Sequence, residues 1–234
     1  MITGTVFMTW IKICGMTNPA DAQLAVDAGA DAVGFIFAES RRRIAPEAAR
    51  AIVDQLPERV EKVGVFVNQH PEEVRATVSA AALTGVDLHG EEDETTTRLL
   101  QSGPVDGRRI RVFKTLHMGD AKEMEFAHTR SLAGLYDALL LDSGSHEQRG
   151  GTGRVFDWDA AEKLIRLISV TSRVIFAGGL TPQNVGQAVT RFRPWGVDVV
   201  SGVEAEPGRK DPEKVRQFIQ AVRAAESHPA AESH

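Results

Sequence analysis

One cysteine, Cys14, is present among 234 residues, so no internal disulfide can form and a reducing compartment is expected. No apolar run approaches the roughly 18 to 20 residues that a membrane span needs. The first ten residues, Met1 to Trp10, lack the basic start and long apolar centre of a secretory signal, which points to the cytoplasm. A surplus of basic charge is missing too. With 27 Lys and Arg against 32 Asp and Glu, the formal charge is -5. Outside Arg41-Arg42-Arg43 the basic residues are scattered, so the footprint of a nucleic-acid binder is absent. No two histidines stand at a metal-ligand spacing, which argues against a metal site.

What is present is alternation. Short apolar, β-branched runs lie at Trp10 to Cys14, Ala32 to Phe37, Lys62 to Val67, Gly85 to His89, Arg111 to Leu116, Ala138 to Asp142, Val174 to Ala177 and Val197 to Val200. Each is followed by an amphipathic segment of helical period. The first such helix has Asn18 as cap, Pro19 at its first position and Gly29 closing it. Pro46, Pro71, Pro182 and Pro212 likewise stand near expected helix starts. Strands apolar nearly throughout are buried on both faces, and the chain length is close to the roughly 250 residues of eight strand-helix units. The expected fold is therefore α/β, a single-domain (β/α)8 barrel of the TIM type. A doubly wound open sheet is the alternative, but no Gly-x-Gly-x-x-Gly follows the first strand. Residues 1–9 read as an N-terminal extension, 10–225 as the barrel, and 226–234 as a disordered tail, with Ala-Glu-Ser-His occurring at 225–228 and again at 231–234.

In such a barrel the chemistry sits at the C-terminal strand ends. There the sequence places Cys14 after strand 1, Arg41 to Arg43 after strand 2, Asp87 and His89 at strand 4, and Asp142 at strand 6. Gly178-Gly179 follow strand 7, and strand 8 carries Asp198, Ser201 and Gly202. Inward alternation lets Cys14 and Asp142 face each other across the mouth and share proton transfers. The two glycine-containing loops after strands 7 and 8 suit a phosphate, since glycine lets backbone N–H groups approach an anion. Their plainer reading is tight turns. A phosphorylated small molecule is the expected ligand class.

Eight segments together resemble one family. They are Lys12-Ile13-Cys14-Gly15, Ser40-Arg41-Arg42, Val63 to Asn68, Leu88-His89-Gly90-Glu91, Leu140 to Ser143, Gly150 to Gly153 with Phe156-Asp157-Trp158, Ala177 to Leu180, and Val197-Asp198 through Ser201 to Glu204. In this order they are similar to phosphoribosylanthranilate isomerases over about Ile11 to Val222. The resemblance implies a cofactor-free Amadori rearrangement of N-(5-phosphoribosyl)anthranilate to 1-(o-carboxyphenylamino)-1-deoxyribulose 5-phosphate, in tryptophan biosynthesis. It implies Cys14 as general base and Asp142 as general acid. It puts Arg42 near the anthranilate carboxylate, with Arg41 and Arg43 as neighbouring registers, and Asp198 on the ribose hydroxyls. It leaves His89 between a substrate contact and a rim hydrogen bond. Phosphate would lie on Gly178, Gly179, Ser201 and Gly202, no metal is called for, and the expected assembly is a monomer or homodimer with no nucleic-acid or membrane partner. Lys12 could share the face of Cys14. The loop from Gly144 to Val155 could close as a lid.

Two departures stand out. Asp87 replaces an amide frequent in the family, an anion expected to weaken binding of an anionic substrate. Val200 replaces a serine, a harmless change if it faces the outer helices. The alternatives are another phosphosugar aminoaldose isomerase on the same barrel, or a noncatalytic phosphate-ligand binding protein.

Overall fold

The computed structural model describes residues 8–118, 134–142 and 158–227. Eight parallel strands close into a barrel in chain order: β1 Trp10–Ile13, β2 Ala32–Ile36, β3 Glu61–Phe66, β4 Gly85–Leu88, β5 Arg111–His117, β6 Ala138–Asp142, β7 Val174–Ala177 and β8 Gly196–Val199. β8 returns to β1 with Ile11 opposite Val197 and Ile13 opposite Val199, so the cylinder has no free edge. Helices pack outside it: α1 Pro19–Ala28, α2 Pro46–Val53, α3 Pro71–Ala80, α4 Glu94–Gln101, α5 Trp158–Thr171, α6 Val185–Phe192 and α7 Pro212–Glu226. The helix expected between β5 and β6 and the lid loop from Gly144 to Val155 fall outside the described residues.

Local chemistry explains the boundaries. The Asn18 side chain accepts from the Asp21 N–H at 2.9 Å, and Gly29 takes φ 104° to end α1. Pro46, Pro71 and Pro212 are the first residues of their helices. Pro182 is not. It lies in a turn three residues before α6, where Asn184 Oδ1 accepts from Thr181 N–H and its amide donates to Gly179 O. That side chain closes the turn, so the helix starts only at Val185.

Period-two alternation sorts each strand into two environments. Ile11, Ile13, Val86, Leu88, Val197 and Val199 join the outer core beneath the helices. Trp10, Ala32, Val63, Phe113, Ala138, Leu140, Ile175 and Ala177 form a separate cluster inside the barrel. The next inward positions, Lys12, Asp87 and Asp198, are buried and charged. Cys14, Phe37 and His89 finish the ladder through their N–H groups, to Val199 O, Val65 O and Phe66 O, and then leave it at the mouth.

After β8, a 3-10 turn at Ser201–Val203 leads into an antiparallel hairpin of β9 Glu204–Glu206 and β10 Arg209–Lys210. At the opposite pole, buried Thr9 donates its N–H to Glu226 at 2.6 Å and its carbonyl accepts from Arg223 at 2.7 Å.

Candidate active site

A cavity of about 420 Å³ opens at the C-terminal ends of the strands. All nine candidate residues read from the sequence line it, together with Asp87. Cys14, the residue after β1, and Asp142, the last inward position of β6, thus border one space.

The Cys14 side chain is buried, and room for it comes from β2. A Cβ on Gly34 would overlap the Cys14 sulfur and sit 3.0 Å from Lys12 Cε. Lys12 therefore does share the face of Cys14. Its ammonium donates to Asp87 Oδ2 at 3.1 Å and Asp198 Oδ2 at 3.2 Å. Burial pushes the Cys14 thiol up to about 12, against the pull of Lys12 and with the push of Asp198 and Asp87. Burial also works against the Lys12 ammonium, but Asp198, Cys14 and Asp87 together hold it well above the usual range.

The two carboxylates that share Lys12 differ. Burial alone would raise Asp87, yet Lys12, His89 and Thr115 hold its carboxyl well below the usual range. Asp198 is raised by burial, only partly offset by Lys12, and Asp87 repels its charge. Geometry accounts for the difference. Asp87 Oδ1 accepts the Thr115 hydroxyl at 2.7 Å, whereas Asp198 Oδ1 is buried without a partner among the described residues. Asp87 is not a loose anion at the mouth but a fully buried one, paired with Lys12 because β1 faces β4 across the barrel.

His89 joins this network to Asp142. Thr115 Oγ1 gives its proton to Asp87, so it accepts from His89 Nδ1 at 2.9 Å, which puts a proton on that nitrogen. The other nitrogen, Nε2, lies 3.8 Å from Asp142 Oδ2. Burial would lower the His89 imidazolium, but Asp87 and then Asp142 raise it on balance. His117 stands edge-on to His89 with ring centroids 5.3 Å apart, and its Nε2 lies 3.3 Å from His89 O. Thr115 and His117 were missed in the sequence. The signal was there: in Arg111-Val112-Phe113-Lys114-Thr115-Leu116-His117, Thr115 and His117 continue the inward face of Phe113 toward the mouth with polar side chains.

On the far side, Gly178 and Gly179 take φ 77° and 63°, a left-handed pair that turns successive N–H groups together. Gly202 is pressed so close to the β7 loop that a Cβ there would overlap the Leu180 carbonyl oxygen. Ser201 opens the 3-10 turn beside them. Val200 lines the cavity, with Cγ1 3.2 Å from where a Gly15 Cβ would stand. It does not face the outer helices, because the alternation that turns Val199 outward turns Val200 in.

Arg42 also lines the cavity, as does Arg43, while Arg41 is exposed. The Arg42 guanidinium is forked onto Glu204, Nε to Oε1 at 2.8 Å and Nη2 to Oε2 at 2.6 Å. Behind Glu204 lies buried Lys210, its Nζ 3.3 Å from Oε1 and 3.1 Å from Val200 O. Glu204 stood in the sequence at the end of the Ser201 to Glu204 segment without a role given to it, and Lys210 was not picked out. No described helix is long and apolar enough to cross a membrane, and the described residues contain no cluster of three or more His, Cys, Asp or Glu able to hold a metal.

A family model for N-(5'phosphoribosyl)anthranilate (PRA) isomerase matches residues 11–221. The N-(5'-phosphoribosyl)anthranilate isomerase of Desulforudis audaxviator is 46% identical over 93% of this chain and 100% of its own. That of Pelobacter propionicus is 42% identical over 94% and 98%. Among solved structures, phosphoribosyl anthranilate isomerase from Thermotoga maritima superposes with a TM-score of 0.80 at 38% identity, covering 93% of this chain and 100% of that one. A second, 37% identical with a TM-score of 0.77 over the same shares, is a complex with reduced 1-(o-carboxyphenylamino)-1-deoxyribulose 5-phosphate.

Proposed function

The chain belongs to the N-(5'-phosphoribosyl)anthranilate isomerase family, and from that premise we propose that Cys14 and Asp142 divide the proton transfers of its reaction between them. The enzyme is an isomerase of tryptophan biosynthesis. It converts N-(5'-phosphoribosyl)anthranilate into 1-(o-carboxyphenylamino)-1-deoxyribulose 5-phosphate by an Amadori rearrangement. One observation carries the assignment of roles: a thiol and a carboxyl group from β1 and β6 border one cavity, with glycine-rich loops at one side and a guanidinium lining it as well.

Asp142 donates a proton to the furanose ring oxygen. The ring C–O bond breaks and the anilino nitrogen becomes a protonated Schiff base. Cys14 then takes the proton from the adjacent sugar carbon, and the electron pair of that C–H bond moves to give the enolamine. Protonation of C1 and loss of the hydroxyl proton at C2 yield the ketone. Protons move but no net electrons leave the substrate, so no redox cofactor is assigned. A thiol held up to about 12 is neutral at pH 7, and the positive charge created on the Schiff base acts with Lys12 to favour the thiolate when it is needed.

The remaining residues hold the substrate. Gly178, Gly179, Ser201 and Gly202 receive the phosphate through backbone N–H groups, and Asp198 offers Oδ1 to a ribose hydroxyl. Arg42 meets the anthranilate carboxylate, and His89 sits against Asp142 at the sugar. We assign catalysis to residues 10–225, acting in the cytoplasm as a monomer or homodimer. A Thermotoga maritima relative is described as dimeric, and sedimentation of this protein decides between the two states.

The test is steady-state turnover of freshly prepared substrate alongside binding of the reduced product analogue. Cys14→Ser and Asp142→Asn should each lower kcat by about 10² to 10⁴, with analogue affinity changed by less than about tenfold. Near wild-type kcat in either variant removes that residue from its role.

A further inference from the structure

We propose that Glu204 is the positioning residue for Arg42, and that Lys210 completes the set so that one unit of positive charge is left to meet the substrate's carboxylate. The proposal rests on the reading of Arg42 as the carboxylate contact.

Three observations lead to it. First, Glu204 is used up by internal bonds: Oε1 accepts from Arg42 Nε at 2.8 Å, Gly208 N at 3.2 Å and Lys210 Nζ at 3.3 Å, while Oε2 accepts from Arg42 Nη2 at 2.6 Å. A carboxylate so engaged is committed to its internal partners on both oxygens and does not line the cavity. Second, exposure divides the set. Arg42 keeps 13% of its side chain accessible and lines the cavity, whereas Glu204 keeps 4%, Lys210 none, and neither lines it. Glu204 can therefore reach a ligand only through Arg42. Third, the charges do not cancel. Two cations on one anion leave a net positive unit, and its exposed face is the guanidinium, whose fork still has N–H donors to spare.

The location fits the task. Gly15, with φ 81°, makes room for this group: a Cβ there would stand 3.1 Å from Arg42 Cδ and 3.7 Å from Lys210 Nζ. The guanidinium stem thus passes one residue from Cys14, which ties the ring-bearing end of the substrate to the proposed base. Glu204 is in turn fixed by the hairpin that carries it. Lys214 Nζ donates to its carbonyl at 2.8 Å, and Thr17 donates to Gly208 O at 2.5 Å. The small β9–β10 hairpin is explained as the mount for an arginine that the β2 loop alone would leave free to swing.

The experiment compares two ligands on three proteins. The ligands are reduced 1-(o-carboxyphenylamino)-1-deoxyribulose 5-phosphate and the same molecule without its ring carboxyl group. The proteins are wild type, Arg42→Ala and Glu204→Gln, each checked for a cooperative thermal transition. Wild type should prefer the carboxylated ligand, and Arg42→Ala should lose that preference. Glu204→Gln should weaken the carboxylated ligand about tenfold and the other by no more than about twofold, with KM raised more than kcat is lowered. Should the amide variant not fold, Glu204→Asp keeps the charge, withdraws it by one methylene, and is expected to show a smaller loss of the same selective kind. If Arg42→Ala abolishes the preference while the Glu204 variant retains it, or weakens both ligands equally, positioning by Glu204 is overturned. If Arg42→Ala itself retains the preference, the reading of Arg42 fails first and takes this one with it.

Discussion

A buried thiol with two cations and two carboxylates around it is a poor base at rest, and that is a property of the Cys14 surroundings more than of sulfur. Burial and the two aspartates outweigh Lys12 and Lys210, so the thiol is held up to about 12. Because Cys14 is the only cysteine, the thiolate ultraviolet difference between wild type and Cys14→Ser reports this one group. That difference should stay flat from about pH 6 to about pH 10, more than one full unit above the free thiol value of about 8.5. A thiolate already formed by about pH 8.5 would mean that the surroundings leave the thiol at its free value. Lys12→Met removes a stabilising cation and should postpone ionisation further, with kcat falling more than KM rises. Had that variant ionised earlier than wild type, the sign assigned to Lys12 would be wrong. The presence of Cys14 at a strand end was legible from the sequence, because an apolar run stops there. Its acidity was not, since three of the charged groups that set it lie on other strands or loops.

At the scale of elements, loops after β7 and β8 work as one unit because Gly202 is pressed against the Leu180 carbonyl. Gly202→Ala must push those loops apart. We expect a loss of stability of about 1 to 3 kcal/mol from overpacking, and inorganic phosphate should compete with substrate at least tenfold more weakly, on the general scale of a displaced anion site. Gly103→Ala is the control: nothing stands within 4 Å of its added carbon, and thermal melting should be unchanged. A phosphate constant unaltered by Gly202→Ala would detach that loop from the phosphate. Element boundaries were legible because caps are local chemistry, as Asn18, Gly29 and the helix-opening Pro46, Pro71 and Pro212 show. Pro182 stands near its helix start but not at it, because a neighbouring asparagine captured its turn. The pairing of Glu204 with Arg42 and Lys210 was hidden for a different reason. Glu204 and Lys210 sit six residues apart on a hairpin only five residues of strand long, whose partner Arg42 is 162 residues away in the chain.

For the whole molecule, closure of the barrel decides where Lys12 finds its counterions. Asp87 lies 75 residues on and Asp198 186, and only a cylinder in which β1 meets β8 at one side and β4 across the middle brings all three together. Spacing along the chain carries no such information, so Asp87 was taken for an unpaired anion. The trio has a consequence for stability that depends on pH. Lys12, Thr115 and His89 keep the Asp87 carboxyl below its unfolded value of about 3.9. A depressed folded value means that the unfolded chain binds the proton more readily, so the stabilisation is present above the unfolded value and is lost as pH falls below about 5. Asp198, raised on balance, works in the opposite sense, its charged form being a cost at neutral pH. Asp87→Asn should therefore lower stability at pH 7 by about 3 kcal/mol, since it strands part of a buried ammonium. It should also flatten the acid limb of a plot of Tm against pH. Asp198→Asn should cost less at pH 7 and leave the acid limb steep. Equal costs for the two, or a steep acid limb surviving in Asp87→Asn, would show that the ammonium is shared evenly and that the Thr115 and His89 bonds to Asp87 do not set the difference between them.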